Sequence, residues 1–381
     1  MKRISLWASV GLLLCLVGPG LLAQPQKAGT RSLDARPLVR PLTQYHGIDA
    51  SFVPWYEDAG VEYFDEAGIQ TDPIQLLADR GANLLRIRVF VNPPDGHNGQ
   101  ADMLHLAQRA HDAGMDILID LHYSDSWADP GQQTQPDAWT NLSDAQLIAQ
   151  VQTYTADIIA SLYAQNTPPT MIQLGNEITG GMLWPTGRIS INGFTGLAAL
   201  LNAGIAGVDE GIPKSTPQVQ HPQIMIHIDR GGNLASSQWF YDGIIAAGVE
   251  FDLIGLSYYP WWHGWPNQLK ETIQGVAVRY AKPVMLVEVG YPWSLGWNDN
   301  THNFVGTKAQ LVPGFPATPA GQRAFLDMLS IELGKLPDGL GIGWCYWGAG
   351  FVADPQTPGS PWENISIFDF DHNLLDAARG F

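Results

Sequence analysis

The chain has 381 residues, with 20 basic against 37 acidic side chains and a formal charge of −17, a balance that repels nucleic acid and other anionic polymers. Charged residues make up only 15% of it while tryptophan reaches 14, a combination expected where flat apolar rings meet a neutral, hydroxyl-rich ligand such as a polysaccharide. The length exceeds that of a small domain and suits one α/β barrel with long loops.

At the start, Lys2 and Arg3 precede an apolar run from Ile4 to Val17, and Ala23 offers a small residue for cleavage, so residues 1–23 are predicted to be a secretory signal peptide. Gly18, Pro19 and Gly20 break the run before it reaches the roughly 20 residues of a spanning helix. A secreted chain, extracellular or periplasmic, with no membrane attachment after cleavage is therefore expected. Residues 24–43 carry prolines and no periodicity and read as a flexible leader to a folded domain over 44–381. Cys345 is then the one cysteine left, which rules out an intramolecular disulfide.

Short apolar runs recur from there at 46–50, 84–91, 116–123, 171–177, 223–229, 252–259, 283–289 and 341–347. Their near-continuous hydrophobicity suits parallel strands buried on both faces, and the intervals are long enough for helical crossovers. Leu147, Val151, Tyr154, Ile158 and Leu162 share one helical face, as do Leu326, Leu329, Leu333 and Leu336. Eight strand-and-helix units point to a (β/α)8 TIM barrel in a single domain, with an open doubly wound sheet as the alternative. No GxGxxG or GxxxxGK[ST] loop follows any strand, so nucleotide binding has no motif here.

Polar and aromatic residues gather at the C-terminal ends of nearly all these runs, which in a barrel face one cleft. Glu177 ends the fourth run ahead of a Gly-rich loop, and Glu288 ends the seventh. Glycosidic hydrolysis needs one carboxyl to protonate the departing oxygen and another to attack or to activate water, which glutamates on two separate strands can supply. A metallohydrolase is disfavoured because no HExxH or CxxC pattern occurs. The residues alone leave the sugar open.

The segments HYSDSWADPGQQ (122–133), QLGNEITGGMLWPTG (173–187), GLSYYPWWHG (255–264) and VEVGYPW (287–293) resemble glycoside hydrolase family 53, the arabinogalactan endo-β-1,4-galactanases. The likeness runs from GIDAS at 47–51 to WENISIFD at 362–369. It implies a retaining barrel hydrolase that cuts linear β-1,4-galactan of pectic side chains internally, with Glu177 as acid/base and Glu288 as nucleophile. Such chemistry requires no cofactor, and no protein partner is predicted. The loop WGAGFVADP at 347–355 departs from the Trp-Glu-Pro run frequent in the family, so the resemblance carries over the catalytic pair but not subsite preferences or product lengths.

Other residues take roles as expectations. Arg86 and Arg88 alternate onto one strand face, and either would hold Glu288 ionised, since an adjacent guanidinium lowers a carboxylate's pKa. Asn176 is placed to donate to the sugar 2-hydroxyl. Asp49, His122, Tyr258, Trp293 and Trp347 complete the expected substrate-binding set, with Trp127, His227 and Asp229 among further residues that would line the cleft. Some bacterial family members bind a structural calcium in the loop after the seventh strand. Here that loop reads WNDNTHN (297–303), making Asn298, Asn300 and His302 the candidate ligands.

Overall fold

The computed structural model describes residues 45–214, 221–354, 357 and 359–381; the signal peptide and leader expected at 1–23 and 24–43 lie outside them. Eight parallel strands close in chain order into one barrel: β1 (Tyr45–Asp49), β2 (Leu84–Val89), β3 (Asp116–Leu121), β4 (Met171–Leu174), β5 (Gln223–Ile228), β6 (Leu253–Tyr258), β7 (Val284–Val289) and β8 (Gly341–Tyr346). Each coincides with an expected run to within three residues. The open sheet is excluded, because β1 pairs with β8 as well as with β2.

Helices α1 (Val53–Asp58) and α2 (Pro73–Asp79) follow β1, α3 (Gln100–Asp112) follows β2, α4 (Asp144–Ala164) follows β3, and α5 (Ile189–Gly211) follows β4. Then α6 (Leu234–Ala246) follows β5, α7 (Pro260–His263) and α8 (Pro266–Tyr280) follow β6, and α9 (Pro319–Gly334) follows β7. Local chemistry sets several of the starts. Asp72 accepts the amides of Ile74 and Gln75 ahead of Pro73, and Thr318 accepts that of Gly321 ahead of Pro319, each satisfying an amide that lacks a partner within the helix. The face read for α4 is the buried one, although Tyr154 is only partly covered and packs on Tyr123 and Trp139. Leu336 is buried but lies past the end of α9.

Two apolar layers result. Leu84, Leu118, Met171, Met225, Leu253, Met285, Val287 and Cys345 fill the barrel interior, while the outward-facing strand residues meet the helices in a larger core. The period of two along each strand places a polar layer next above the interior one, at Arg86, Asp120, Gln173, His227 and Ser257.

β7 departs from that period. Met285 and Val287 both point inward, so simple alternation would turn Glu288 outward. The register slips by one residue against both β6 and β8 at this point. Such a bulge re-aims the next side chain, and Glu288 consequently enters the barrel mouth.

The helix pair α4 and α5 approaches closely through glycines. A β-carbon on Gly207 would lie 2.4 Å from the Gln152 carbonyl oxygen and 2.7 Å from Thr155 Cβ. Gly207→Ala is predicted to wedge the pair apart and cost about 1–3 kcal/mol, as overpacking does, read from the denaturation midpoint. An unchanged midpoint would sink this account of the contact.

Candidate active site

At the C-terminal mouth, Arg86 is almost wholly buried and meets three carboxylates. Its Nη1 lies 3.0 Å from Asp49 Oδ2 and 2.9 Å from Glu288 Oε1, and its Nη2 lies 2.8 Å from Asp120 Oδ2. Nη2 also donates to Asn176 Oδ1 at 2.9 Å. Gln173 ties the group together, donating from Nε2 to Asp120 Oδ1 at 2.6 Å. Burial opposes charge on Asp120, yet Arg86 and His122 hold its carboxyl below the usual range.

Glu288 has both oxygens engaged, Oε1 by Arg86 and Oε2 by the Tyr259 hydroxyl at 3.2 Å. Burial pushes its carboxyl up to about 7, against the pull of Arg86. Glu177 is also raised, well above the ordinary value, first by burial and then by the negative charges of Glu288 and Asp229. The two carboxyls therefore sit within electrostatic reach of each other, in unlike surroundings.

Glu177 takes a left-handed backbone conformation, φ 49°, between Asn176 and the short helical turn Ile178–Gly180. A residue with a side chain pays roughly 1–2 kcal/mol for that region, so neighbouring groups must hold it there. Its amide faces His227 Nδ1, and its Oε1 accepts from Ser257 Oγ at 2.6 Å. Burial keeps His227 neutral, far below its usual pKa. With its proton on Nε2, 2.8 Å from Ser257 Oγ, the ring orients the serine hydroxyl toward Glu177. Oε2 is left as the oxygen open to the cleft.

The expected site residues separate by location. Asp49 accepts from Arg86 and from the Ser51 amide, so it braces the cation beneath the cleft floor. Arg86 itself is likewise too deep to touch a ligand. Arg88, the other candidate for the Glu288 contact, points elsewhere. Its guanidinium lies 4.4 Å from the Phe52 ring and 4.2 Å from that of Trp127, with one hydrogen bond, to Asn98. Both ring nitrogens of His122 are taken, by Asp120 and by the Ala128 amide. Asn176 uses one amide hydrogen on the Ala128 carbonyl, leaving the second.

Tyr258 faces away from the cleft, because Leu253 and Ser257 point inward and position 258 alternates outward. Its ring stacks on Phe325 and its hydroxyl reaches the Gly264 carbonyl. Tyr259, one residue on, supplies the hydroxyl at Glu288.

Trp347 ends β8 in an aromatic wall, 4.4 Å from Trp362 and 6.1 Å from Trp127. Trp362 continues it to Tyr259 and to the exposed Trp262. Trp293 instead packs on Phe370 at 4.6 Å. Asp120, Gln173, Ser257 and Trp362 were not singled out from the sequence, and Tyr259 stood out only as one of the residues ending the sixth run. For Asp120 and Gln173 the signal was present, as polar residues at inward positions of apolar strands.

The surroundings of Asn298, Asn300 and His302 give a calcium ion no support. The Asn298 side chain donates to the Phe370 carbonyl, and the His302 ring stacks on Trp297. The carboxylate of the segment, Asp299, accepts the Thr301 and Ser360 amides, whereas a hard cation requires such oxygens for itself. Among the described residues no group of three or more His, Cys, Asp or Glu side chains gathers around a cation position.

Arg86→Leu is predicted to destabilise the fold by about 3–5 kcal/mol, since it strands buried carboxylates without their cation. Their folded-state pKa values would then rise relative to the wild type, so the stability deficit must grow as pH rises through them. Denaturation midpoints at pH 5 and pH 8 test this; equal deficits would refute the charge argument.

The sequence profile of glycosyl hydrolase family 53 matches residues 45–381. An uncharacterized protein of Niallia circulans is 40% identical over 344 residues, covering 87% of this chain and 91% of its own. An arabinogalactan endo-beta-1,4-galactanase of Cellvibrio japonicus is 36% identical over 334 residues, covering 85% and 86%. The catalytic domain of an Ignisphaera aggregans member of the family superposes with a TM-score of 0.83 at 32% identity, over 91% of this chain and 97% of that one. A barrel closed in this order, two carboxyls at its mouth and a profile that spans all of it make the chain a member of glycosyl hydrolase family 53.

Proposed function

We propose that this enzyme cleaves β-1,4-galactan internally with retention of anomeric configuration. The observation that carries the reading is the unequal setting of two carboxyls at one mouth: Glu288 rests on a buried guanidinium, and Glu177 on a serine hydroxyl. A cation favours the ionised form and its absence favours the protonated one, so the nucleophile is Glu288 and the acid is Glu177. Galactan as substrate is supported by the activity for which the Cellvibrio relative is named.

In the first step a Glu288 oxygen attacks the anomeric carbon while the bond to the leaving O4 breaks and Glu177 Oε2 protonates that oxygen. Glu177 is then a carboxylate. It takes a proton from water, whose oxygen attacks the anomeric carbon and releases Glu288, which restores both groups. No cofactor enters either step. Asn176, through its second amide hydrogen, donates to the sugar 2-hydroxyl, a bond that strengthens in the transition state. Trp347, Trp362 and Trp127 form the wall on which sugar rings stack. Secretion, to the cell exterior or the periplasm, fits both the leader pattern and a pectic substrate too large to enter a cell.

On linear galactan, viscosity is expected to fall early as short oligosaccharides form. Release of monosaccharide alone, or activity confined to mannan or xylan, would overturn the substrate assignment. Glu288→Ala should lose turnover on every substrate. Glu177→Ala should retain activity on galactosides whose leaving group needs no proton, and azide should rescue it as the β-galactosyl azide. An α-azide from the Glu177 variant, or an initially inverted wild-type product, would reverse the roles.

A further inference from the structure

A third carboxylate stands at the mouth without a part in either chemical step. Asp229 follows β5 and is buried. One of its oxygens accepts from Thr179 Oγ1 at 2.6 Å, and the other lies 2.7 Å from Arg230 Nη1. Thr179 sits in the middle of the turn Ile178–Gly180 that leaves Glu177. The left-handed conformation at Glu177 has to be held by something, and this hydrogen bond fastens the turn two residues downstream to a different strand.

The charges around the pair are unevenly spread. Glu288 on β7, Asp229 beyond β5 and Arg86 on β2 act on Glu177. Asp229 faces Arg230 and also Asp129 of the loop after β3. His263 of α7 faces Arg230, and its charge is suppressed by burial and by that cation. His227, Asp120 and His122 lie behind them in the neutralised floor cluster. Arg86 is committed to three carboxylates, and Arg230 is partly exposed. Burial raises the Asp229 carboxyl, Thr179 and Arg230 oppose that rise, and its negative charge acts on Glu177 with the partly exposed Arg230 as its paired cation.

We propose that Asp229 is a positioning residue for Glu177: through Thr179 it fixes the turn that carries the acid/base, and its charge keeps the proton on Glu177 until the glycosidic oxygen takes it. The inference rests on the reading of Glu177 as acid/base. It assigns Asp229 no contact with the reacting atoms. When Glu288 becomes a neutral ester in the glycosyl-enzyme, one of the two negative charges acting on Glu177 disappears and Asp229 remains, so Glu177 keeps enough basicity to take the proton of water.

The test is the pH dependence of kcat/KM on galactan, with an activated aryl β-galactobioside as companion substrate and melting temperature as the check on folding. Asp229→Asn keeps the shape and can still accept from Thr179 but lacks the charge; its basic limb should move down by about 0.5–1 pH unit, the size of a nearby-charge effect, with the acidic limb in place. Arg230→Gln removes the opposing cation and should move that limb up. Thr179→Val keeps both charges and loses the fastening, so kcat should fall several-fold with no movement of the limb. On the aryl substrate, whose departure needs no proton, neither charge variant should alter kcat/KM. A basic limb in Asp229→Asn that stays at the wild-type position, or equal movement in Thr179→Val, would overturn the proposal. A limb that survives in Glu177→Gln would instead overturn the assignment of Glu177, which separates the two failures.

Discussion

The guanidinium of Arg86 is shut away from water with Asp49, Asp120 and Glu288 around it, and the order of the mouth depends on that contact. A lone buried cation and three lone buried carboxylates would each be unsupportable, because desolvation of an unpaired ion costs several kcal/mol. Together they form a network in which every member is hydrogen-bonded. The barrel makes it available: β1, β2, β3 and β7 each contribute one inward-pointing residue to a common height. No two strands alone bring these charges together. The network also explains why the floor beneath the cleft is polar although apolar side chains fill the barrel immediately below.

That arrangement fixes what differs between the two glutamates. Glu288 is part of the network, while Glu177 stands beside it, touched by Ser257 and lifted first by burial and then by the negative charges of Glu288 and Asp229, against the pull of Arg86. Three carboxylates share one guanidinium, so an additional negative charge at Glu177 is opposed. The unlike settings of the two carboxyls thus arise from burial together with the count of charges at the mouth, as much as from any single contact.

Much of this was legible in the sequence, and the parts that were not share a cause. Long apolar runs separated by helix-length intervals carry their own signal, and the strands fall where those runs lie. Glu177 and Glu288 stood out as carboxyls ending such runs. Inward and outward positions, by contrast, depend on register, which a sequence read strand by strand does not contain. Counting by twos from Leu253 separates Tyr259 from Tyr258, yet the same counting from Met285 fails at Glu288 because a bulge intervenes. Arg86 and Arg88 lie on the same face, so alternation could not divide them; the division arises from height, with Arg86 level with Glu288 and Arg88 among the rings of Phe52 and Trp127. Trp362 was hidden for another reason, since it comes from a long stretch after β8 that joins the aromatic wall only through tertiary packing.

The loops after β7 and β8 hold such a wall in place through side-chain hydrogen bonds that run between them. Glu363 accepts the Asn298 amide at 2.6 Å, Asp299 accepts the Ser360 amide at 2.6 Å, and Asn364 donates to the Ser294 and Val305 carbonyls. Each of these bonds crosses from one loop to the other, and they flank Trp362 on both sides of the chain. A carboxylate that accepts a backbone amide does the work of a bound cation in one respect, tying two segments that have no ladder between them. It differs in another: the tie is directional, so it fixes the orientation of the peptide as well as its distance. The ring of Trp362, set between Trp347 and Trp262, takes its position from that peptide, and the edge of the cleft is thereby built from hydrogen bonds made by Glu363, Asp299 and Asn364.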